Sequence, residues 1–379
     1  MKFRVVHICL VLIVLTANVW VSPARPENDE RSQKVERTIA VDPAVTVSLC
    51  VMSGNVSVRG WDKNEVSARS SDAAQIELRR RDVPGAAGQA MKLEVFVVDK
   101  ADALRVKDNC QAYSDLELNV PRTASVHVQT RDGDISIAEV GMAFAGSQNG
   151  DICIERVSRA VEVDSVSGSI SIKNSTGRAS VTSIGGGIEV VNLRPSAPPD
   201  SFEAVSVSGD LTLTGVSHSK FNARTTSGNM HLSGPLTQGG RYGFKTTSGD
   251  VTLTLPANSS FSLKALISND GEIITDFPLT IMPDTPPPTT PAPSAPAVSG
   301  VPPKGQPPAA PAPSAAPKAS PAATIVKVTP QISRVVVTAP VVAGPVYTLR
   351  RFNAVCGDGD ATISVASFSG TLHLQKEGN

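Results

Sequence analysis

Asp134, Asp151, Asp210 and Asp250 each stand directly after a glycine, and Asn55, Asn229 and Glu272 hold the same place in further copies. Two carboxylates held side by side can cleave a glycosidic bond, one protonating the leaving oxygen while the other activates water. They can also bind a divalent cation. The competing reading is that Asp, Asn and Ser at such a place satisfy the backbone of a turn. Ser169 and Gly187 interrupt the row. A turn tolerates both substitutions and a catalytic line does not, so the sequence favours the turn.

The elements that would position these residues come from a repeat. TTSGDVTL at 246–253 has a near-copy, TTSGNMHL, at 225–232. Aligning turn glycines of this type collects Gly54, Gly133, Gly150, Gly168, Gly186, Gly209, Gly228, Gly249 and Gly370, with Gly271 a weaker member. From Gly133 to Gly271 the spacings are 17, 18, 18, 23, 19, 21 and 22. Apolar residues recur two and four positions after each glycine (Ile170 and Ile172, Leu211 and Leu213) and seven and five before it (Val161 and Val163, Phe202 and Ala204). Each unit therefore reads as two short period-two strands around a polar turn, with glycine supplying positive φ. Such a unit is too small to fold alone, so copies must stack.

The expected fold class is all-β, a repetitive β-solenoid-like stack in which equivalent residues form ladders. An antiparallel β-sandwich of hairpins closed at the Ser-Gly turn is the alternative. The runs at 91–98 and 114–120 read as longer strands capping the open amino-terminal end. Arg79, Arg80, Arg81 and Asp82 read as a solvated basic loop.

The domain reading follows from composition. Residues 1–24 have a charged start, an apolar run and a small-residue exit, which describes a secretory signal peptide. A linker is expected at 25–40 and the repeat domain at 41–282. Residues 283–323 are Pro/Ala-rich and cannot bury a core, so they read as a disordered insertion. The repeat signature returns in 324–379, which completes the same domain. No later segment is apolar and long enough to cross a membrane as a helix.

Other chemistry is thin. With Cys9 in the signal, Cys50, Cys110, Cys153 and Cys356 remain. Cys50 and Cys110 are the candidate disulfide in an oxidising compartment, and Cys153 reads as a free thiol; no CxxC supports zinc or redox catalysis. His127, His218, His231 and His373 share no ligand spacing, and GDGDATI at 357–363 matches a calcium-binding repeat only weakly. The chain carries 35 basic and 35 acidic residues, so its net charge gives no reason to propose nucleic acid or another polyanion as partner. Aromatics make up only 4 % of it, which argues against an aromatic platform for sugars.

The Ser-Gly-Asp/Ser-apolar-x-apolar turns at 167–172, 208–213 and 248–253 resemble those of the putative-adhesin family of bacterial envelope proteins, a domain of unknown function built from short β-strand repeats. GNVSVRGWDKNEV at 54–66 is similar to that family's first repeat, and DFPLT at 276–280 with GDGDATISVASFSGTLHL is similar to its closing pattern. The resemblance implies a location and an architecture more than an activity. The expected protein is exported, to the periplasm, the outer surface or the medium. It acts as an adhesin-like binding or scaffold module toward an unknown protein or glycan ligand, without catalysis, cofactor or metal. The alternatives are a polysaccharide-active β-helix enzyme using stacked Asp residues, and an envelope-stress signalling accessory.

Overall fold

A unit that buries one face of two short strands leaves its backbone N–H and C=O groups to be paired by its neighbours. The computed structural model describes residues 35–82, 89–99, 112–268, 271–282 and 349–378. In it, the strand before each turn glycine lies parallel to the equivalent strand of the next unit, forming a pre-turn sheet. The strand after each glycine does the same in a post-turn sheet. Val161 is flanked by Ala143 and Ala179 in the first sheet, and Ile152 by Ile135 and Ile170 in the second. The pairing of the units is parallel, so they are coils of a β-solenoid and not hairpins of a sandwich. The expected signal peptide, the linker up to residue 34, the Pro/Ala-rich insertion, residues 324–348 and Cys110 lie outside the described residues. Strand begins at Val35, so residues 35–40 belong to the folded body and not to the linker.

Coil order departs from chain order at both ends. The first coil, around Gly54, is sandwiched between the Gly133 coil and a terminal coil made of Ala90–Asp99 and Leu116–Pro121. That terminal coil is the cap expected from the runs at 91–98 and 114–120. The last coil, Ala361–Ser369 with Leu372–Lys376, likewise inserts between the Gly249 and Gly271 coils. Beyond each terminal coil the chain turns antiparallel. Ala73–Arg80 pairs with Ala90–Asp99 and Glu65–Ser70 with Leu116–Pro121 at one end. At the other, Leu349–Cys356 pairs with Phe261–Ser268. The first and last coils of the described residues are thus locked one step inside the stack, and short antiparallel strands cover edges that would otherwise template aggregation.

The core is one continuous file of buried apolar side chains. Its chemistry changes along the axis. At the position seven before the glycine, Val126, Ala143, Val161 and Ala179 give way to Phe202, Phe221 and Tyr242. The rings stack on one another, with Phe202 and Phe221 centroids 4.9 Å apart and Phe221 and Tyr242 5.5 Å apart. Tyr242 is fully buried, and its hydroxyl accepts the Thr237 N–H at 2.7 Å.

Candidate functional site

The glycine corner is where the sequence places its candidate acids, and the structure shows what the corner requires. Gly168 has φ +125°, and a Cβ there would stand 2.2 Å from the Gly150 carbonyl oxygen. Gly186 lies outside the left-handed region, yet its Cβ would come within 1.8 Å of the Gly168 oxygen. The same holds at Gly209, 2.4 Å from the Gly186 oxygen. Positive φ is therefore not what every corner needs, contrary to the expectation for Gly186, Gly209 and Gly271. The common requirement is that one coil's backbone rests directly on the carbonyl of the coil beside it. That contact runs from Gly54, resting on Ser114, through Gly133, Gly150, Gly228 and Gly249 to Gly370 and, more loosely, Gly271.

The acid row follows from the same stacking. Asp134 Oδ1 accepts the Asp151 N–H at 2.8 Å, and Asp151 Oδ1 accepts the Ser169 N–H at 2.7 Å. Asp210 accepts from Asn229 (2.7 Å), Asn229 from Asp250 (3.0 Å) and Asp250 from Thr371 (2.7 Å). Asn55 completes the row by accepting from Asp134 at 3.1 Å. Each side chain caps the corner of the neighbouring coil, which charge-assisted bonding to a backbone N–H strengthens. Ser169 and Gly187 fall where the row breaks and resumes. Asp134 and Asp151 are brought together, as neighbours in this ladder on an exposed corner.

Two features of each coil escape the turn pattern. Three residues before the glycine, a buried hydroxyl recurs from Thr130 through Ser147, Ser165 and Ser183 to Ser206, Thr225, Thr246 and Ser367. The opposite corner, six residues after the glycine, holds Glu139, Arg156, Asn174 and Asn192 at φ between 51° and 61°. Asn192 Nδ2 donates to Asn174 Oδ1 at 3.2 Å, a small amide ladder. At Glu139 the neighbours Arg122, Arg156 and Arg59 converge on one carboxylate and hold it below the usual range, the Arg122 hydrogen bond being the largest cause. The hydroxyl row continues the period-two alternation and was legible on that basis. Arg and Glu in a left-handed corner carry no sequence signal.

The remaining candidates are scattered. His231 and His373 lie on the outer face of the post-turn sheet with Thr252 between them. His127 stacks flat on Phe144, 4.1 Å between centroids, and burial lowers its pKa. His218 is fully buried; its Nε2 lies 2.8 Å from the Gly177 oxygen, and burial lowers its pKa too. Cys50 is disulfide-bonded, while its expected partner Cys110 falls outside the described residues. Cys153 is free and exposed; Cys356 is free and buried, and burial raises its thiol pKa. At 357–360 the backbone N–H groups of Gly359 and Asp360 donate to Ser260 Oγ. Among the described residues no group of three His, Cys, Asp or Glu is placed to hold a metal. Arg79 and Arg80 end a strand and do not form a loop; they and Arg81 pair with Glu77, Asp82 and Glu94.

A broad concavity lies on the outer face of the pre-turn sheet across the Gly54 to Gly186 coils. This groove of about 840 Å3 is lined by Cys50, Met52, Gln129, Gln148, Thr182 and Ile184 among others. Val166 and Ile184 rise from it on adjacent coils, 46 % and 50 % exposed. None of the four corner aspartates lines it.

Residues 46–281 match the Toastrack family, DUF4097. Among solved structures the chain is similar to a putative cell adhesion protein from Clostridium sporogenes ATCC 15579. There the identity is 8 % over 90 % of this chain and 99 % of that one, with a TM-score of 0.21. It is also similar to a putative adhesin from Bacteroides fragilis NCTC 9343, at 16 % identity over 59 % of this chain and 97 % of that one, with a TM-score of 0.37. No curated protein matches the chain.

Proposed function

The chain belongs to the Toastrack family, and from that premise we propose that it is an exported, adhesin-like binding module without catalytic activity. One observation carries the reading: the corner carboxylates are spent on coil-to-coil hydrogen bonds, while the outer groove keeps exposed apolar side chains above a rigid sheet. A rigid row of coils presents equivalent side chains at a constant interval of about 4.8 Å, which suits multivalent contact with an extended glycan or protein segment. Among the described residues no helix is long and apolar enough to cross a membrane. The test is binding of the purified chain to intact cells and isolated envelopes of the producing organism. Val166→Asp with Ile184→Asp is expected to weaken that binding at least about tenfold, the equivalent of roughly 1.4 kcal/mol. Release of envelope glycan by the wild type, abolished by Asp151→Asn, would replace this reading with the enzymatic one.

A further inference from the structure

Net charge zero conceals an uneven use of charge along the solenoid axis: among the described residues, ion pairing is confined to one part of it. Every ion pair between described residues uses a cation at or before Lys173. Beyond that point the outer face of the pre-turn sheet carries exposed cations with no ion-pair partner among the described residues. Parallel pairing sets Lys220 beside Arg241 and Arg224 beside Lys245. The next coil offers only Thr362, Ser364 and Ala366 at these positions, and Lys264 and Arg351 follow on the strands after it. Strands lie about 4.8 Å apart and alternate residues about 6.8 Å apart, so these six charges form a compact block.

The block has a floor. Gly243, Ser364 and Ala366 leave a shallow trough of about 440 Å3 flanked by Arg224, Lys245 and Lys264. On this face the carboxylate of Glu203 stands on the adjoining strand beside Asn222 and makes no ion pair among the described residues. Asp358 and Asp360 belong to the turn at the margin, outside the trough. Exposed cations left unpaired around a polar floor complement a polymer with an anionic group on each unit.

We propose that this face binds a linear acidic polysaccharide, the carboxylates meeting the six cations and the sugar hydroxyls meeting Asn222, Thr362 and Ser364. The proposal rests on the binding-module reading and names its ligand class. A nucleic acid fits less well, because Tyr242 and Phe244 point inward and one exposed ring, Phe368, is left on this face where stacking of successive bases needs several. A lipid surface fits less well, because the outward aliphatic side chain on the trough larger than alanine is Leu266 alone, and it is half-buried.

The test uses the purified chain against alginate, with neutral dextran, an oligothymidylate and phosphatidylglycerol vesicles as comparators. Alginate binding is expected, falling steeply between about 50 and 200 mM salt, with none to dextran. Arg241→Glu with Lys245→Glu should weaken it at least about tenfold, whereas Arg69→Glu, in the ion-paired half, should change it less than about twofold. Arg241→Gln with Lys245→Gln gives a milder check should the reversal disturb folding, which circular dichroism reads. Failure to bind alginate, equal or stronger binding to oligothymidylate or vesicles, or an equal loss in Arg69→Glu would each overturn the proposal. Envelope binding that persists without alginate binding rejects the ligand class alone; loss of both rejects the module reading with it.

Discussion

Between Gly133 and Gly186 the corners recur every 17 or 18 residues, the core is aliphatic, and Arg156 and Lys173 are paired with carboxylates. From Gly186 onward they recur every 19 to 23 residues, aromatic rings fill the same core position, and the cations of the pre-turn face stand unpaired. The corner is conserved between the halves in form: glycine on carbonyl, Asp or Asn on N–H. The comparison shows that coil stacking is set at the corner alone, which frees coil circumference, core filling and surface charge to vary. It also assigns labour. The first half pairs Arg156 and Lys173 with carboxylates of its own surface, and the second leaves the cations of its pre-turn face available.

The largest expected effect tests the core difference. Phe221 contacts Phe202, Tyr242 and Phe244 on the flanking coils, so Phe221→Ala removes the centre of a stack. It should cost about 3–5 kcal/mol, against roughly 2 kcal/mol for Val163→Ala in the aliphatic half. Denaturant unfolding with amide exchange on each half would measure both. Equal costs would mean the aromatic coils are no better packed than the aliphatic ones.

A second pair separates corner from face. Gly168→Ala should cost on the order of 3 kcal/mol, because positive φ and a 2.2 Å approach to backbone oxygen coincide there. Gly243→Ala should stay within about 0.5 kcal/mol, since its new methyl would meet the far end of the Asn222 side chain at 3.3 Å and the Phe221 carbonyl oxygen at an ordinary 3.7 Å. If Gly168→Ala were tolerated equally well, the stacking account of the corner would fail.

Much of this is legible in the sequence. The turn glycines and the inward apolar positions emerge from one alignment, because a stacked repeat must place like on like. The reason for the glycines was only half visible, since Gly186 owes its identity to a neighbour 18 residues away and not to its own φ. The insertion of the Gly54 and Gly370 coils one step inside the ends was not legible. Strand order depends on where a chain returns, and every unit carries the same pairing signal. The block of unpaired cations is hidden differently: Lys220 and Arg241 are 21 residues apart and become neighbours only once coils of unequal length are set side by side.

A pH effect should follow the halves as well. Burial depresses the pKa of His218, between the Gly209 and Gly228 corners, below its ordinary value of 6.5, with hydrogen bonding to Gly177 and the charge of Asp200 opposing. The folded chain therefore prefers neutral His218. Its contribution is fully present above about pH 6.5 and is lost as pH falls through the folded value. Amide exchange at about pH 7.5 and about pH 5.5 should show the coils around Phe202 loosening at the lower pH. His127 shifts in the same direction, but its ring lies on the outer face over Phe144, so the first half should respond less. A larger response in the first half would contradict the burial assigned to His218.

The smallest effect is the most discriminating, because it predicts opposite signs. In the first half Thr130 Oγ1 lies 3.3 Å from the Gly133 oxygen and 3.2 Å from Ser147 Oγ, a satisfied buried hydroxyl. In the second half Ser206, Thr225, Thr246 and Ser367 form four consecutive rungs of the same row whose hydroxyls lack a hydrogen-bond partner. A buried donor left unmade is costly, and removing it recovers that cost, whereas removing one partner of a made bond incurs it. Thr130→Val should therefore destabilise by about 1 kcal/mol, while Thr225→Val, with nearly the same shape, should be neutral or stabilise by up to about 1 kcal/mol. The unsatisfied rungs begin where Phe202 enters the core, which ties them to the wider coils: ring packing there takes precedence over closing hydroxyl on carbonyl. Destabilisation by Thr225→Val equal to that of Thr130→Val would mean that these hydroxyls are held by ordered water, and the two halves would then differ in hydration and not in packing.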